Sequence, residues 1–243
     1  RLPMGFEDIR YSLWHAMAGV LMHVPRVLFP LRHQSFSGDS SSFLSARPYA
    51  ERMTTRERAV WGNTRSGWGW VSIVIHGASA LAVFGLFALG WWMTGLGYYD
   101  HWYHLAPWWH KSIGIVVLLV SVFRVVWRLV QPTPAAHGKP LEQWAAHVGH
   151  GLIYALMFVV MISGYLISTA EGEGISVFGW FTVPALVSGL PDQAVLAGDV
   201  HWYAAWALVI LALGHGLAAF KHHWVDRQDT LTRMLTSRAA RRR

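Results

Sequence analysis

The sequence predicts an all-α integral membrane protein, a bundle of four transmembrane helices with both termini in the cytoplasm. Apolar residues make up 53% of the 243 residues and charged residues only 14%. Four apolar stretches are long enough to cross a bilayer, which takes about 20 helical residues. Two of the segments that join these stretches contain no lysine or arginine. Together these features predict a multi-pass protein embedded in lipid.

The four predicted spans carry aromatic residues at their ends. Trp68 and Trp70 open the first span, and Trp91 and Trp92 close it. This placement is typical of the tryptophan belts at membrane–water interfaces. The spans are predicted at residues 68–93, 108–130, 143–169 and 199–224.

The distribution of basic residues predicts the orientation. Residues 94–109 and 170–200 contain no lysine or arginine, whereas basic residues precede the first span, follow the second and follow the fourth. Cytoplasmic loops of membrane proteins are enriched in lysine and arginine. We therefore expect both termini in the cytoplasm.

The segments outside the spans suggest a simple domain organisation. Residues 1–52 show no sustained helical or strand period, and we expect residues 1–60 to be an N-terminal extension that is disordered or not native, the alternative being an ordered extra element. Residues 61–237 form the predicted transmembrane domain, and residues 238–243 a basic tail. Residues 175–190 are apolar but broken by proline and glycine, which predicts an interfacial cap on the periplasmic side.

Composition excludes several classes of function. The chain has no cysteine, which excludes disulfides, iron–sulfur clusters, cysteine zinc sites and covalently attached haem. Its net charge of +7 does not indicate nucleic-acid binding, because the basic residues flank the apolar spans and form no recognition motif. We therefore expect the chain to contact lipids and not nucleic acid.

Two histidines of the fourth span predict two separate sites. His201 and His215 are fourteen residues apart. In a helix this is about 21 Å along the axis and within about 40° of the same face. A metal–nitrogen bond is only about 2 Å long, so the two side chains cannot bind one ion.

Each of these histidines has a predicted partner at the same depth in the membrane. His110, at the start of the second span, matches His201, and His76, in the first span, matches His215. Ionisable residues inside spans are functional candidates, and neutral imidazole is an axial haem ligand. The pairs predict two non-covalent b-type haems suited to electron transfer. The alternatives are helix contacts through hydrogen bonds, or a haem-free transporter with a histidine proton relay.

Other residues near the paired histidines are weaker candidates. Glycines next to the predicted ligands would let a flat macrocycle approach, although small residues also serve helix packing. Contacts to quinone or to haem propionates are predicted for a group of cationic and histidine side chains, for which topology and interfacial anchoring are alternative explanations. The glycines are Gly77, Gly114, Gly214 and Gly216, and the contact residues are His147, His150, His222, Arg124 and Arg128.

These motifs together resemble the bacterial cytochrome b561 family of four-helix dihaem cytochromes. The resemblance covers residues 60–237. It rests on Ile75-His76, Trp109-His110, Arg124-x3-Arg128-x3-Pro132-x-Pro134, His147-x2-His150, the His201 and His215 pair, and His222-His223 before a basic tail. It implies haem ligation by His76, His110, His201 and His215, and electron exchange with quinone. It also implies a multi-pass protein of the bacterial inner membrane. The chain departs at Gly77, where the family usually has tryptophan.

The expected function is respiratory electron transport between a periplasmic donor, not identified by the sequence, and ubiquinone or another quinone. One alternative is a superoxide oxidase, which the five acidic residues of the predicted periplasmic loops disfavour because they would repel an anionic substrate. Another alternative is the cytochrome b subunit of a hydrogenase or dehydrogenase complex. No catalytic residue is assigned, and the expected partners are the lipid bilayer, quinone and the donor, with no nucleic acid.

Overall fold

The computed structural model describes residues 60–135 and 138–236. The predicted basic tail and residues 1–59 of the predicted N-terminal extension lie outside the described residues. Four long helices dominate the described chain, and each is long and apolar enough to cross a membrane. They are α1 (Trp70–Met93), α2 (Leu105–Val130), α3 (Pro140–Thr169) and α4 (Gln193–Phe220). The predicted all-α bundle of four spans is confirmed.

The helices differ from the predicted spans mainly at their starts. α3 begins three residues before the predicted position, because Pro140 occupies the first helical position and Glu142 caps the helix. The Glu142 carboxylate accepts a hydrogen bond of 2.9 Å from the Lys139 backbone N–H. Proline and such a capping box both favour a helix start. The polar first turn therefore extends α3 beyond its apolar centre.

The fourth span ends in a wider turn. After Phe220 the chain continues as a π-helical turn, Lys221–Val225, and then a short helix, α5 (Thr230–Leu235). The Asp226 backbone N–H donates to the Lys221 carbonyl over 3.2 Å, which closes this turn. π-Helical turns are rare and often occur at functional sites.

The segment predicted as an interfacial cap contains a β-hairpin. Strands β1 (Ile175–Val177) and β2 (Phe181–Val183) pair antiparallel, and the apolar side chains of β1 pack against Ile115 of α2. The Ser112 hydroxyl of α2 also accepts a hydrogen bond of 3.1 Å from the Phe178 backbone N–H. The sequence analysis missed these strands, because three residues are too few to show a strand period.

Small residues line the contacts within the bundle. α3 packs along α4 and α1 along α2, and contacts of α2 with α3 and of α1 with α4 complete the arrangement. Among the described residues, four serines are buried: Ser79, Ser112, Ser121 and Ser163. Small side chains let transmembrane helices approach closely. Large apolar side chains lie on the outside instead, such as Leu81, which is 76% exposed, as expected for a surface that faces lipid.

The two ends of the bundle have different chemistry. We call the end where α1 and α3 begin and α2 and α4 finish the basic end, because Arg124, Arg128, Lys139 and Lys221 lie there. The opposite end carries the β-hairpin, and we call it the hairpin end. The histidines of the four helices are distributed between these two ends.

Candidate functional site

The structure brings four histidines together in two pairs. His76 of α1 lies beside His215 of α4 towards the basic end, with ring centroids 6.4 Å apart. His110 of α2 lies beside His201 of α4 towards the hairpin end, with ring centroids 6.1 Å apart. Both pairs therefore join α4 to another helix at nearly the same ring separation.

These separations fit two ligands of one metal ion. Two imidazoles that bind an ion from opposite sides, through bonds of about 2 Å, hold their ring centroids roughly 6 Å apart. The rings of His150 and His215 are closer, with centroids 4.8 Å apart, which leaves too little room for an ion bound by both. The four predicted ligand residues thus satisfy a geometric requirement of axial haem ligation at both ends.

Hydrogen bonds orient the His201 ring. Its Nδ1 lies 2.8 Å from the Val160 carbonyl oxygen of α3 and 3.3 Å from the Ser163 hydroxyl. A carbonyl accepts only, so the proton is on Nδ1 and the lone pair is on Nε2. This arrangement is typical of histidines that bind metals, where a second group fixes the tautomer.

His110 is less constrained than its partner. Its Nδ1 is buried, and it has no hydrogen-bond partner among the described residues. Buried polar atoms without a partner are uncommon in folded proteins and require a reason such as an absent ligand. No hydrogen bond to a described residue therefore fixes the tautomer of this ring, in contrast to His201.

Two glycines lie against the histidine rings at the hairpin end, where a larger side chain would collide with them. A Cβ added at Gly90 of α1 would lie 3.1 Å from His110 Cε1, and one added at Gly164 of α3 would lie 3.0 Å from His201 Cε1. Both distances are shorter than ordinary van der Waals contact. No spacing rule in the sequence points to these glycines, because the contact depends on how the helices pack.

The four glycines that the sequence analysis named do not contact the histidine rings in this way. A Cβ at Gly77, Gly114, Gly214 or Gly216 would meet no other described atom within 4 Å, so these positions provide open space and no close contact. A largely apolar cavity of about 180 Å³ lies between the helices, and Gly114 lines it with both His110 and His201. An apolar cavity with two convergent imidazoles suits a haem, which has an apolar ring and a central metal.

The histidine pair near the basic end has polar neighbours. The Arg124 guanidinium donates to His76 Nδ1 over 2.8 Å. Arg124 and Arg128 also lie over the Tyr154 ring, at 5.3 and 5.9 Å from its centroid. Arg124 therefore contacts this pair, Arg128 lies with it over the same Tyr154 ring, and Tyr154 is a neighbour that sequence reasoning missed.

The structure separates the two histidines of α3. His150 packs against His215, so it belongs to the histidine group near the basic end. His147 is exposed instead, and its Nδ1 donates to the Gln143 carbonyl oxygen of its own helix over 2.7 Å. Helix rotation explains the difference, because residues three apart differ by about 60° around the axis.

His222 lies in a charged cluster at the basic end. Its Nδ1 is 2.7 Å from Asp226 Oδ2, and the Lys221 ammonium contacts the same oxygen at 2.8 Å. The hydrogen bond from Lys221, with a further one from His222, lowers the pKa of Asp226 below its usual value. His223 is separate, because its Nδ1 bonds to the Gln228 carbonyl.

Comparisons with known proteins identify the family. Residues 67–237 match the family model described as prokaryotic cytochrome b561. The chain is 50% identical over 175 residues to cytochrome b561 homolog 2 of Escherichia coli (strain K12), covering 71% of this chain and 93% of that protein. It is 32% identical over 128 residues to the probable superoxide oxidase CybB of Yersinia pestis, covering 52% of this chain and 72% of that protein.

A third relative extends the comparison. Cytochrome b562 of Cereibacter sphaeroides is 31% identical over 129 residues, covering 53% of this chain and 67% of that protein. The residues matched by the family model, 67–237, contain the four long helices and the histidine pairs. The chain therefore belongs to the prokaryotic cytochrome b561 family, as a multi-pass membrane protein for electron transfer of the kind that carries b-type haem.

Proposed function

We propose that the chain holds two non-covalent b-type haems and transfers electrons between a periplasmic donor and the quinone pool. His76 and His215 would hold one haem, and His110 and His201 would hold the other. The observation that carries this proposal is the matched ring separation of the two pairs, 6.4 and 6.1 Å. Each bound haem supplies a metal centre that accepts and releases one electron.

The protein side chains hold the haems and set their orientation. The Val160 carbonyl keeps His201 in the tautomer with a free Nε2, which is ready to bind iron. A His76 ring that binds through Nε2 carries its proton on Nδ1, where it cannot accept the hydrogen bond from Arg124. We therefore propose that Arg124 turns with Arg128 to a haem propionate, since arginine binds carboxylates in a bidentate manner.

The proposed orientation places the basic end in the cytoplasm of the bacterium. Arg124, Arg128, Lys139 and Lys221 lie at this end, and the segments of the hairpin end carry Lys111 as their basic residue. A reporter enzyme fused after Arg243 should be active in its cytoplasmic form and inactive in its periplasmic form. A fusion in the loop at Gly97 provides the matched control, because it should show the reverse pattern. A C-terminal reporter active only in the periplasm would contradict the orientation.

The proposed quinone site lies at the basic end and includes His222. Reduction of a quinone takes up two electrons and two protons, so the site needs an electron source and a proton donor. Histidine exchanges protons near neutral pH, and a carboxylate partner orients its ring. The contact of His222 with Asp226 provides this pair, and the His222 side chain is 25% exposed, so water can reach it.

Replacing His222 with alanine should slow quinone reduction and leave both haems bound. The wild-type protein, reduced with dithionite under nitrogen, should be reoxidised by a short-chain ubiquinone. Loss of one general acid typically costs about a hundredfold in rate. Stopped-flow absorption in the haem bands measures the reoxidation, after the haem content has been checked.

The matched control is His147→Ala, because His147 is exposed and its ring bonds to the backbone of its own helix. It should reoxidise at the wild-type rate. If His222→Ala reacts with quinone as fast as the wild type while both haems remain bound, His222 is not part of the site.

A superoxide oxidase is the second candidate function, because a relative from Yersinia pestis carries that name. The charge of the hairpin end disfavours it. Five acidic residues in its segments are exposed, and an anionic substrate would be repelled by them. We therefore propose a cationic donor, whose approach these acids would accelerate. The acidic residues are Asp100, Glu171, Glu173, Asp192 and Asp199.

A further inference from the structure

Three side chains that commonly bind metals meet at the basic end. Glu142 comes from the first turn of α3, His222 from the π-helical turn after α4, and Asp226 from the residue that follows this turn. One potential ligand atom from each lies within 4.8 Å of the other two. Glu142 is about eighty residues from the other two in sequence, so the packing of α3 against α4 creates the group.

We propose that Glu142, His222 and Asp226 bind a divalent transition-metal ion of the zinc class, and that the bound ion inhibits quinone reduction. The inhibitory part rests on the proposed function, in which His222 belongs to the quinone site. The binding part is independent of it, because it depends only on the three ligands.

The chemistry of the three ligands selects this class of ion. Zinc binds imidazole nitrogen and carboxylate oxygen at about 2.0–2.2 Å and accepts three protein ligands with a water in the fourth position. Calcium and magnesium prefer shells made only of oxygen, so the imidazole disfavours them. Ligand atoms on one tetrahedral ion lie roughly 3–4 Å apart. Small side-chain rotations would therefore complete the site.

Each ligand is already held by a neighbour. Glu142 is fixed at the helix start by the Lys139 backbone N–H, and its carboxylate has capacity for a second contact. His222 and Asp226 hold each other at 2.7 Å, and each side chain is only 25% exposed. Partial exposure gives an ion access from water, while the fixed positions lower the entropic cost of binding.

The contact between Lys221 and Asp226 shows that this site attracts a cation. The Lys221 ammonium lies 2.8 Å from Asp226 Oδ2, and its side chain is 52% exposed. Since such exposed ion pairs contribute little stability, a divalent ion can displace the ammonium at small cost. Lys221 thus acts as a competitor of the metal and offers a distinctive test.

Bound metal would take His222 away from quinone. The metal occupies a ring nitrogen of His222 and both neighbouring carboxylates, so the ring is held by the ion and the group can no longer serve a quinone. The proposed haem ligands are on other turns of the helices, and the haems would remain in place. The expected effect is inhibition without loss of the haem spectrum.

Calorimetric titration of the purified, untagged haem protein with zinc chloride tests the binding. The wild type should bind one zinc ion at this site, and Glu142→Gln and Asp226→Asn should each weaken its binding roughly tenfold or more. Glutamine can also complete a capping box, so Glu142→Gln retains the start of α3. Lys221→Gln should strengthen the binding, and His147→Gln, outside the group, should leave it unchanged.

Quinone reduction in the presence of zinc tests the inhibition. Zinc should slow the reoxidation of the reduced wild-type protein by quinone, EDTA should restore the rate, and Glu142→Gln should be insensitive. Equal zinc binding by the wild type and Glu142→Gln would overturn the site and leave the proposed function intact. Binding at the site with an unchanged quinone rate would overturn the inhibitory role. Failure of the zinc-free wild type to reduce quinone would instead overturn the proposed function.

Discussion

Replacing His201 with alanine should lower the haem content from two per chain to one. His201 pairs with His110, and His215 pairs with His76, so the two sites share no ligand. His215→Ala should therefore remove the other haem and leave the first in place. Pyridine haemochrome analysis of the purified variants measures the ratio of haem to protein. A redox-titrated absorption spectrum then assigns each potential to its site.

The outcome for His150 separates two explanations of the histidine group near the basic end. The His150 ring lies closer to His215 than the His76 ring does, 4.8 against 6.4 Å. Because the larger value is the one that leaves room for an iron between the rings, His150→Ala should retain two haems and His76→Ala should lose one. A wild-type ratio near one, or loss of a haem from His150→Ala with His76→Ala unaffected, would refute the assignment.

Replacing Gly90 with leucine should remove the haem held by His110 and His201. A Cβ at this position already lies 3.1 Å from the His110 ring, and the longer leucine side chain would push the ring away. Leucine favours a helix more than glycine does, so weakening of α1 cannot account for the loss. The measurement is again the haem ratio, with the remaining haem identified by its potential.

Gly85 provides the matched control, because it lies on the same helix and a Cβ there would meet no other described atom within 4 Å. Gly85→Leu should retain two haems. Two haems in Gly90→Leu, with unchanged potentials, would show that the close contact with His110 does not matter for binding.

Much of the fold could be predicted from the sequence because its determinants are local. The length of an apolar run and the identity of the residues at its ends depend on neighbours in the chain. Three spans were predicted within three residues at each end, and the fourth begins six residues before its predicted start. Helix starts were less accurate, since capping groups such as Glu142 extend α3 into polar sequence. The hairpin was missed because Ile175 and Val177 are buried only by their packing against Ile115.

The candidate site divides in the same way. Counting residues along a straight helix predicts how deep each side chain lies in the membrane, so it predicted which histidines lie at the same depth. The structure places His76 beside His215 and His110 beside His201. Their role as haem ligands stays a prediction. Counting does not give the rotation of a helix against its neighbours, which decides that His150 faces the pair and His147 does not.

By itself, then, the sequence determined the number of spans, the depth of each histidine and the resemblance to the cytochrome b561 family. Only the tertiary structure decided which groups surround the histidines. Gly90 contacts His110, and Glu142 approaches His222 and Asp226, through helix packing between residues that are distant in the chain. The physical reason is that depth follows from a fixed rise per residue along one helix, whereas contacts across helices depend on their mutual rotation and approach.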